Sequence, residues 1–248
     1  MPLYLEGFFT SSFLRRCFHY LCAMAKILCL ETATTNCSVA IGVDGEVVSL
    51  VEDSSSGYSH AEQLHVFIQQ AMTKASLAFD NLDAIAVSKG PGSYTGLRIG
   101  VSAAKGLCFS LGTPLISIAT LQSMAYQIQV GSDEVIISLL DARRMEVYSC
   151  AFDHQYREIG TTKAEIINVN SFEDYKSYHQ VHLIGSGSEK CQTVLADKHF
   201  TFHPEIVPSA NEMVYLAEQK FNQKEMEDVA YFEPYYLKDF ILQGKKKA

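Results

Sequence analysis

The sequence predicts an α/β fold built from two consecutive subdomains, each with a mixed β-sheet. Three observations lead to this prediction. Three short apolar segments near the start are joined by tight turns, as in an antiparallel meander. Apolar segments with strand character then alternate with stretches of helical periodicity. The second half begins again with two strand-like segments around a short polar turn, which suggests a duplicated unit.

The first three strands are predicted at Ile27–Glu31, Ser38–Val43 and Glu46–Val51. Between the last two stands Asp44-Gly45, a dipeptide that two-residue type I′ hairpin turns prefer because both positions need a positive φ. The three segments should therefore form an antiparallel meander.

Helices and strands follow in alternation. Ser59 and Glu62 have the spacing of a capping box, and an apolar stripe at helical spacing continues to Ala75. A strand at Ala84–Ser88 leads through a glycine-rich loop into a helix over Gly96–Leu111.

A further strand at Leu115–Ala119 and a helix over Leu121–Gln129 complete the order βββαβαβα. Hairpins combined with helical crossovers require a mixed sheet with right-handed connections. This is the element order of a ribonuclease-H-like domain, the unit of actin-like ATPases.

The second half is a weaker echo. Its strands are predicted at Val135–Leu140, Glu146–Phe152, Lys163–Asn168 and Val181–Ile184, and its helices near Phe172–Tyr178, Glu189–Ala196 and Ala210–Asn222. We expect an N-terminal subdomain over 24–130 and a reduced C-terminal one over 131–240. Residues 1–23 are interpreted as a disordered leader or start-site artefact, and 241–248 as a disordered basic tail.

The composition excludes several classes of function. The chain of 248 residues has 20 Lys and Arg against 28 Asp and Glu, a net charge of −8. Binding to nucleic acid by this chain alone is disfavoured, because neutralised phosphates supply most non-specific affinity. Seven cysteines without a CxxC pair indicate reduced thiols in a cytoplasmic protein. No apolar run reaches the ~20 residues that span a membrane.

The loop GPGSYTG at 90–96 follows a strand and opens a helix. Backbone N–H groups and the positive helix end converge at such a junction, so Gly90, Gly92, Ser93 and Gly96 could hold a phosphate or carboxylate weakly. The loop is not a Walker motif, since GK[ST] is missing. In the other reading, glycine and proline only shape a tight turn.

Two acidic residues end corresponding strands of the two halves, Glu31 with Thr34 close behind it, and Asp141. Carboxylates that face each other across a cleft can hold Mg²⁺ or orient a water. However, Arg143 and Arg144 occupy the turn where a second phosphate loop would need glycine. We interpret Glu31, Thr34 and Asp141 as a vestigial nucleotide cleft.

Several runs resemble the TsaB (YeaZ) family: ILCLETATTNCSVA at 27–40, SHAEQL at 59–64, GPGSYTGLRIG at 90–100, DARR at 141–144 and PYYLK at 234–238. The resemblance implies a bacterial protein needed to form N6-threonylcarbamoyladenosine in tRNA. It implies TsaD, the related transferase, as heterodimer partner and the small ATPase TsaE as a further partner. A homodimer is also open, tRNA would be met only within the complex, and no cofactor is expected.

The resemblance also implies that the helices at 59–77 and 96–111 pair with their counterparts on TsaD or on a second copy. Glycine inside a helix costs about 1 kcal/mol relative to alanine, so a close neighbour must offset the glycines of the second helix. The expected interface residues are Leu64, Phe67, Ile68, Ala71, Gly100, Ala103, Ala104 and Phe109. Which face of each helix points inward stays open.

TsaD, by the same resemblance, binds its catalytic metal through an N-H-x-E-G-H stretch. Thr120 and Met124 stand at the two histidine positions of the aligned stretch here. A thioether is a poor ligand for a hard metal ion. We therefore expect a non-catalytic dimerisation subunit without metal ligands. The alternatives are a weak actin-like ATPase or superfamily peptidase acting alone, or a homodimeric protein-binding module.

Overall fold

The computed structural model describes residues 25–54, 60–195 and 197–238. The first sheet has the order β3-β2-β1-β4-β5, and its strands are β1 Lys26–Glu31, β2 Cys37–Val43, β3 Glu46–Asp53, β4 Ala84–Gly90 and β5 Leu115–Ala119. Strands β1 to β3 form the expected antiparallel meander, and β4 and β5 run parallel to β1. Asp44 and Gly45 have φ of 54° and 77°, as the type I′ turn requires.

The second sheet repeats this topology. Its order is β8-β7-β6-β9-β10, and its strands are β6 Glu134–Asp141, β7 Glu146–Phe152, β8 Lys163–Ile166, β9 Gln180–Ile184 and β10 Phe200–His203. The pairs β6–β7 and β7–β8 are antiparallel, and β6–β9 and β9–β10 are parallel, as in the first sheet. The predicted α/β fold with two ribonuclease-H-like, actin-like mixed sheets is confirmed.

The helices differ between the halves. They are α1 His60–Lys74, α2 Tyr94–Leu111, α3 Thr120–Ala125, α4 Ser188–Gln192 and α5 Ala210–Gln223. The crossovers of the first half are the long helices α1 and α2, whereas those of the second half are a 3₁₀ turn at Glu173–Tyr175 and the five-residue α4. The second half is therefore reduced in its helices and keeps five strands.

The first sheet is buried on both faces, which explains the continuous apolar runs of its strands. Leu28 and Leu30 of β1 pack towards α1 and α2, while Ile27 and Cys29 pack on the opposite face against α5. Alternation along a strand sends neighbouring side chains to opposite faces. The layer order is thus α1 and α2, then the sheet, then α5.

Residues 210–232 lie with the first sheet, whereas the sequence assigns them to the second subdomain. Helix α5 covers the free face of that sheet through Met213, Val214 and Ala217. A Cβ placed on Gly42 would lie 2.4 Å from a methyl carbon of Val214, so glycine lets the helix approach β2 closely. Further along the chain, Phe232 packs on the other face of the same sheet, against the core beneath α1 and α2. Chain order alone does not reveal this return.

Parts of the predicted organisation lie outside the described residues, namely the leader 1–23, the capping serine Ser59 and the tail 241–248. In the described ranges, five cysteines are free and buried: Cys29, Cys37, Cys108, Cys150 and Cys191. None of the helices in these ranges is both long and apolar enough to cross a membrane.

Candidate functional site

A cleft of about 770 Å³ separates the two halves of the molecule. Its walls are the turn after β1, the loop after β4, the turn after β6 and the C-terminal residues 235–238. The fold brings five predicted residues to this cleft: Thr34, Gly92, Ser93, Gly96 and Asp141. Glu31 and Gly90 are not part of its walls.

Glu31 is fully buried beneath the turn that it was expected to serve. Its Oε1 accepts a hydrogen bond of 2.6 Å from the N–H of Ala33, so the side chain folds back on its own turn. Burial raises the pKa of this carboxyl to about 7, although hydrogen bonds from Ala33, Ser88 and Thr32 act in the opposite direction. Glu31 therefore braces the turn, and its assignment to the cleft is corrected.

Asp141 does reach the cleft, but Lys190 neutralises it. The Lys190 Nζ lies 2.5 Å from Asp141 Oδ1, and the same oxygen accepts the N–H of Arg143 at 2.6 Å. With Glu31 buried and Asp141 paired, the two facing carboxylates that a magnesium nucleotide site needs are not formed. Among the described residues, no group of three His, Cys, Asp or Glu could hold a metal ion.

The glycine-rich loop is shaped by close packing on the turn after β1. A Cβ on Gly92 would lie 2.4 Å from the Ala33 carbonyl oxygen, and one on Gly96 would lie 2.1 Å from the Thr32 carbonyl oxygen. The N–H of Ser93 also donates to the Ala33 oxygen at 2.6 Å. These contacts favour the tight-turn reading, because the loop uses its glycines to let α2 approach β1.

Further contacts of this junction explain the remaining small residues. The Ser93 hydroxyl accepts the N–H of Gly96 at 3.3 Å and so caps α2. A Cβ on Gly100 would lie 2.3 Å from the Thr32 hydroxyl. Gly90 has a φ of +103°, which favours glycine, and its missing Cβ makes room for the Tyr235 carbonyl oxygen at 3.0 Å.

His60 is a residue of the cleft that the sequence did not single out. It is buried, and its Nε2 lies 2.6 Å from the Thr34 carbonyl oxygen. A carbonyl oxygen only accepts, so Nε2 carries the proton of this bond. The histidine thereby fastens the start of α1 to the turn after β1.

Residues 235–238, here called the C-terminal strap, run along the cleft and connect its two sides. The N–H of Tyr235 donates to the Lys89 carbonyl oxygen at 2.7 Å. The ring of Tyr236 lies 5.0 Å from that of Tyr94, and its hydroxyl accepts from Arg98 Nε at 3.3 Å. Lys238 pairs with Glu146 at the start of β7. The strap thus contacts both halves.

The predicted interface residues divide between core and surface. Leu64, Ile68, Ala71 and Ala104 are at most 2% exposed and lie in the core, and Gly100 is buried against Thr32. This part of the expected interface is corrected: the most apolar stripe of each helix faces the protein's own sheet. Phe67 and Ala103 are half-buried, and Phe109 is 88% exposed.

A groove of about 720 Å³ follows the outer side of α1 and α2. Ala61 and His65 line it from α1, and Ser102, Ala103 and Gly106 line it from α2. Nothing in the described residues lies within 4 Å of a Cβ placed on Gly106. Packing inside this chain therefore explains the glycines at 96 and 100 but does not explain the glycine at 106.

Comparison with known proteins assigns the chain to a family. The family model described as TsaD, tRNA N6-adenosine threonylcarbamoyltransferase, matches residues 54–245. Two proteins named "tRNA threonylcarbamoyladenosine biosynthesis protein TsaB", from Haemophilus influenzae and Escherichia coli, are each 28% identical to this chain. The Haemophilus match covers 88% of this chain and 96% of the relative, and the Escherichia match covers 89% and 97%. The chain belongs to the TsaB (YeaZ) family.

A solved structure shares the fold of this TsaB family member. YeaZ from Pseudomonas aeruginosa superposes with a TM-score of 0.75 and 24% identity, covering 86% of this chain and all of the other. Thr120 and Met124, which by the resemblance stand where TsaD is expected to have its metal histidines, lie in α3. Thr120 and Met124 are fully buried, and Met124 packs against the second sheet. Their side chains therefore fill a core.

Proposed function

We propose that this chain is the non-catalytic dimerisation partner of TsaD in the formation of N6-threonylcarbamoyladenosine in tRNA. Family membership supports a part in this biosynthesis, because the full-length relatives carry its name. The outer groove of α1 and α2 is the proposed contact with TsaD, and the ATPase TsaE acts at the assembled interface. The protein works by stabilising and orienting the transferase.

The observation that carries this proposal is the outer face of α2. Gly106 is exposed in the middle of the helix with no atom near its missing Cβ. Glycine there costs about 1 kcal/mol relative to alanine, which contact with a closely approaching helix would offset. Ser102 stands one turn earlier, and Phe109 offers an exposed aromatic side chain of the type that anchors interfaces.

Catalysis by this chain alone has no support in the cleft. A general base or metal site would require Glu31 or Asp141, yet the first braces a turn and the second is neutralised by Lys190. The groove residues Ala61, His65, Ser102 and Gly106, by contrast, are exposed on the surface. The geometry therefore favours a role in assembly over a role in chemistry.

The test is co-purification with TsaD from the same organism, using Phe109→Asp and Gly106→Glu variants. Both changes place a carboxylate on the outer face of α2, and we expect heterodimer elution on size exclusion to be lost while the melting temperature is kept. Tyr215→Asp is the matched control, because Tyr215 is half-exposed on α5, on the opposite face of the sheet.

The same preparations decide the catalytic part of the proposal. Threonylcarbamoyl transfer to tRNA by TsaD and TsaE should require the wild-type chain, and this chain alone should give no turnover. A Phe109→Asp protein that binds TsaD as tightly as wild type would remove the outer face from the interface. Self-association without any affinity for TsaD would instead favour the homodimeric module.

A further inference from the structure

The turn between β6 and β7 holds two adjacent arginines in an unusual backbone conformation. Arg143 and Arg144 have φ of 72° and 52°, both in the left-handed region. Hairpin turns with positive φ at two consecutive residues prefer asparagine or glycine there, because a larger side chain at positive φ is sterically unfavourable. Arginine at both positions costs folding stability, and strained positions of this kind cluster at functional sites.

Lys190 holds this turn in place from below. Its side chain is only 14% exposed, and its Nζ donates to Asp141 Oδ1, to the Arg144 carbonyl oxygen at 2.7 Å and to the Glu146 carbonyl oxygen at 3.0 Å. Three acceptors satisfy the three N–H donors of an ammonium group. The arginine turn is therefore preorganised.

The charges around the turn leave both guanidinium groups available. The nearby carboxylates, Asp141 and Glu146, are already paired with Lys190 and Lys238. Within the described ranges, neither arginine has an ion-pair partner within 4 Å, and both are exposed. A strained, braced turn with two unpaired cations is unexpected in a chain of net charge −8.

We propose that Arg143 and Arg144 bind the phosphodiester backbone of RNA and are this chain's contribution to the tRNA site of the complex. Guanidinium groups suit this role because their planar donors match phosphate oxygens in pairs. Arg143 lines the cleft, but Arg144 does not. A ligand that meets both must extend beyond the cleft, which favours a polyanion over a single nucleotide. This inference rests on the proposed function for the identity of the RNA.

The first experiment measures tRNA affinity of the heterodimer with TsaD. The double variant Arg143→Ala/Arg144→Ala should bind tRNA on the order of tenfold more weakly. The slope of log affinity against log salt should fall by about 1 to 2, as expected for one or two lost phosphate contacts. Arg157→Ala is the matched control, because that exposed arginine of the same half pairs with Asp153. It should leave the affinity unchanged.

A glycine variant separates recognition from folding. Arg143→Gly/Arg144→Gly relieves the left-handed strain, so its melting temperature should rise while its tRNA affinity falls as far as that of the alanine variant. Unchanged tRNA affinity in both variants would overturn the proposal. Weaker binding to TsaD with unchanged tRNA affinity would also overturn it and assign the turn to the protein interface.

A second experiment uses this chain without TsaD and with RNA in large excess, so that NMR detects contacts too weak for the isolated chain to hold RNA stably. The arginine Nε–H signals are followed by NMR while an anticodon stem-loop RNA is added, and those of Arg143 and Arg144 should shift while that of Arg157 stays. Equal shifts with inorganic phosphate or ATP at the same phosphate concentration would replace RNA by a small phosphate ligand. Failure to form the heterodimer would remove the proposed function, and this second experiment would still decide the arginine site.

Discussion

Gly96 and Gly106 are ten residues apart on α2 and have different surroundings. A Cβ placed on Gly96 would lie 2.1 Å from the Thr32 carbonyl oxygen. That oxygen belongs to the backbone directly after the central strand β1, so it cannot move aside. Gly106 has nothing within 4 Å in the described residues. Two glycines of the same helix thus have different structural roles, since only Gly96 is required by packing inside this chain.

The two glycines should respond oppositely to alanine. We expect Gly96→Ala to lower the free energy of unfolding by about 2 kcal/mol or more through overpacking. Gly106→Ala should raise it by up to about 1 kcal/mol through helix propensity. Urea unfolding of the isolated chain measures both. A stabilised Gly96→Ala protein would refute the proposed packing of α2 on the turn after β1.

Glu31 links stability to pH because its pKa in the folded chain is raised to about 7 from 4.5. Between these values the unfolded chain has released the proton and the folded chain keeps it. The contribution of Glu31 to stability is therefore largest below pH 4.5 and falls as the pH rises to about 7, by on the order of 3 kcal/mol. Above that pH the contribution of Glu31 is constant.

Glu31→Gln should remove this pH dependence. The amide keeps an acceptor for the N–H of Ala33 and never ionises, so the variant should be more stable than the wild type at pH 8. Thermal melts at pH 5 and pH 8 provide the comparison. If the melting temperatures of wild type and variant differ by the same amount at pH 5 and at pH 8, Glu31 is already ionised in the folded protein at pH 5.

At the scale of elements, helical periodicity predicted the long helices, and continuous apolar runs predicted strands of the first sheet because that sheet is buried on both faces. Strand β5 has its predicted bounds, and α2 begins two residues earlier than expected. Strand β10, only four residues long, was missed, since so short a segment carries no periodic signal. The helix predicted to reach Gln129 ends at Ala125, and the sequence prediction runs too far because no glycine or proline marks that end.

The candidate site was less predictable than the elements that carry it. Ser93 is predicted from the sequence as part of the glycine-rich loop, and its role as the cap of α2 depends on a helix start that lies two residues before the predicted one. The contact of Tyr236 with Arg98 joins residues 138 positions apart, and no local pattern reveals it. For the same reason, the resemblance predicts Leu64 and Ile68 as interface residues although both face the protein's own sheet.

At the scale of the whole molecule, the chain visits the first half twice. Residues 25–119 build the sheet with α1 and α2, α3 packs on the second sheet, and α5 returns to cover the face that residues 25–119 leave open. The N–H of Glu227 donates to the Leu115 carbonyl oxygen at 2.8 Å, and Lys105 Nζ donates to the Ala230 and Phe232 carbonyl oxygens. The first half is complete only with the C-terminal segment.

This return predicts how the molecule can be divided. A fragment of residues 24–130 should aggregate or bind a hydrophobic dye, because Ile116 and Ile118 would be exposed on the face that α5 covers. The same fragment joined through a flexible linker to residues 205–238 should bind less dye and melt cooperatively, with only the α3 residues Leu121, Met124 and Ala125 left without their partners in the second sheet. Replacing Met213 and Val214 by Asp in that fusion is the control and should restore aggregation. A well-folded 24–130 fragment would mean that the first half does not need α5 to fold, and that the predicted boundary at residue 130 is the boundary of a folding unit.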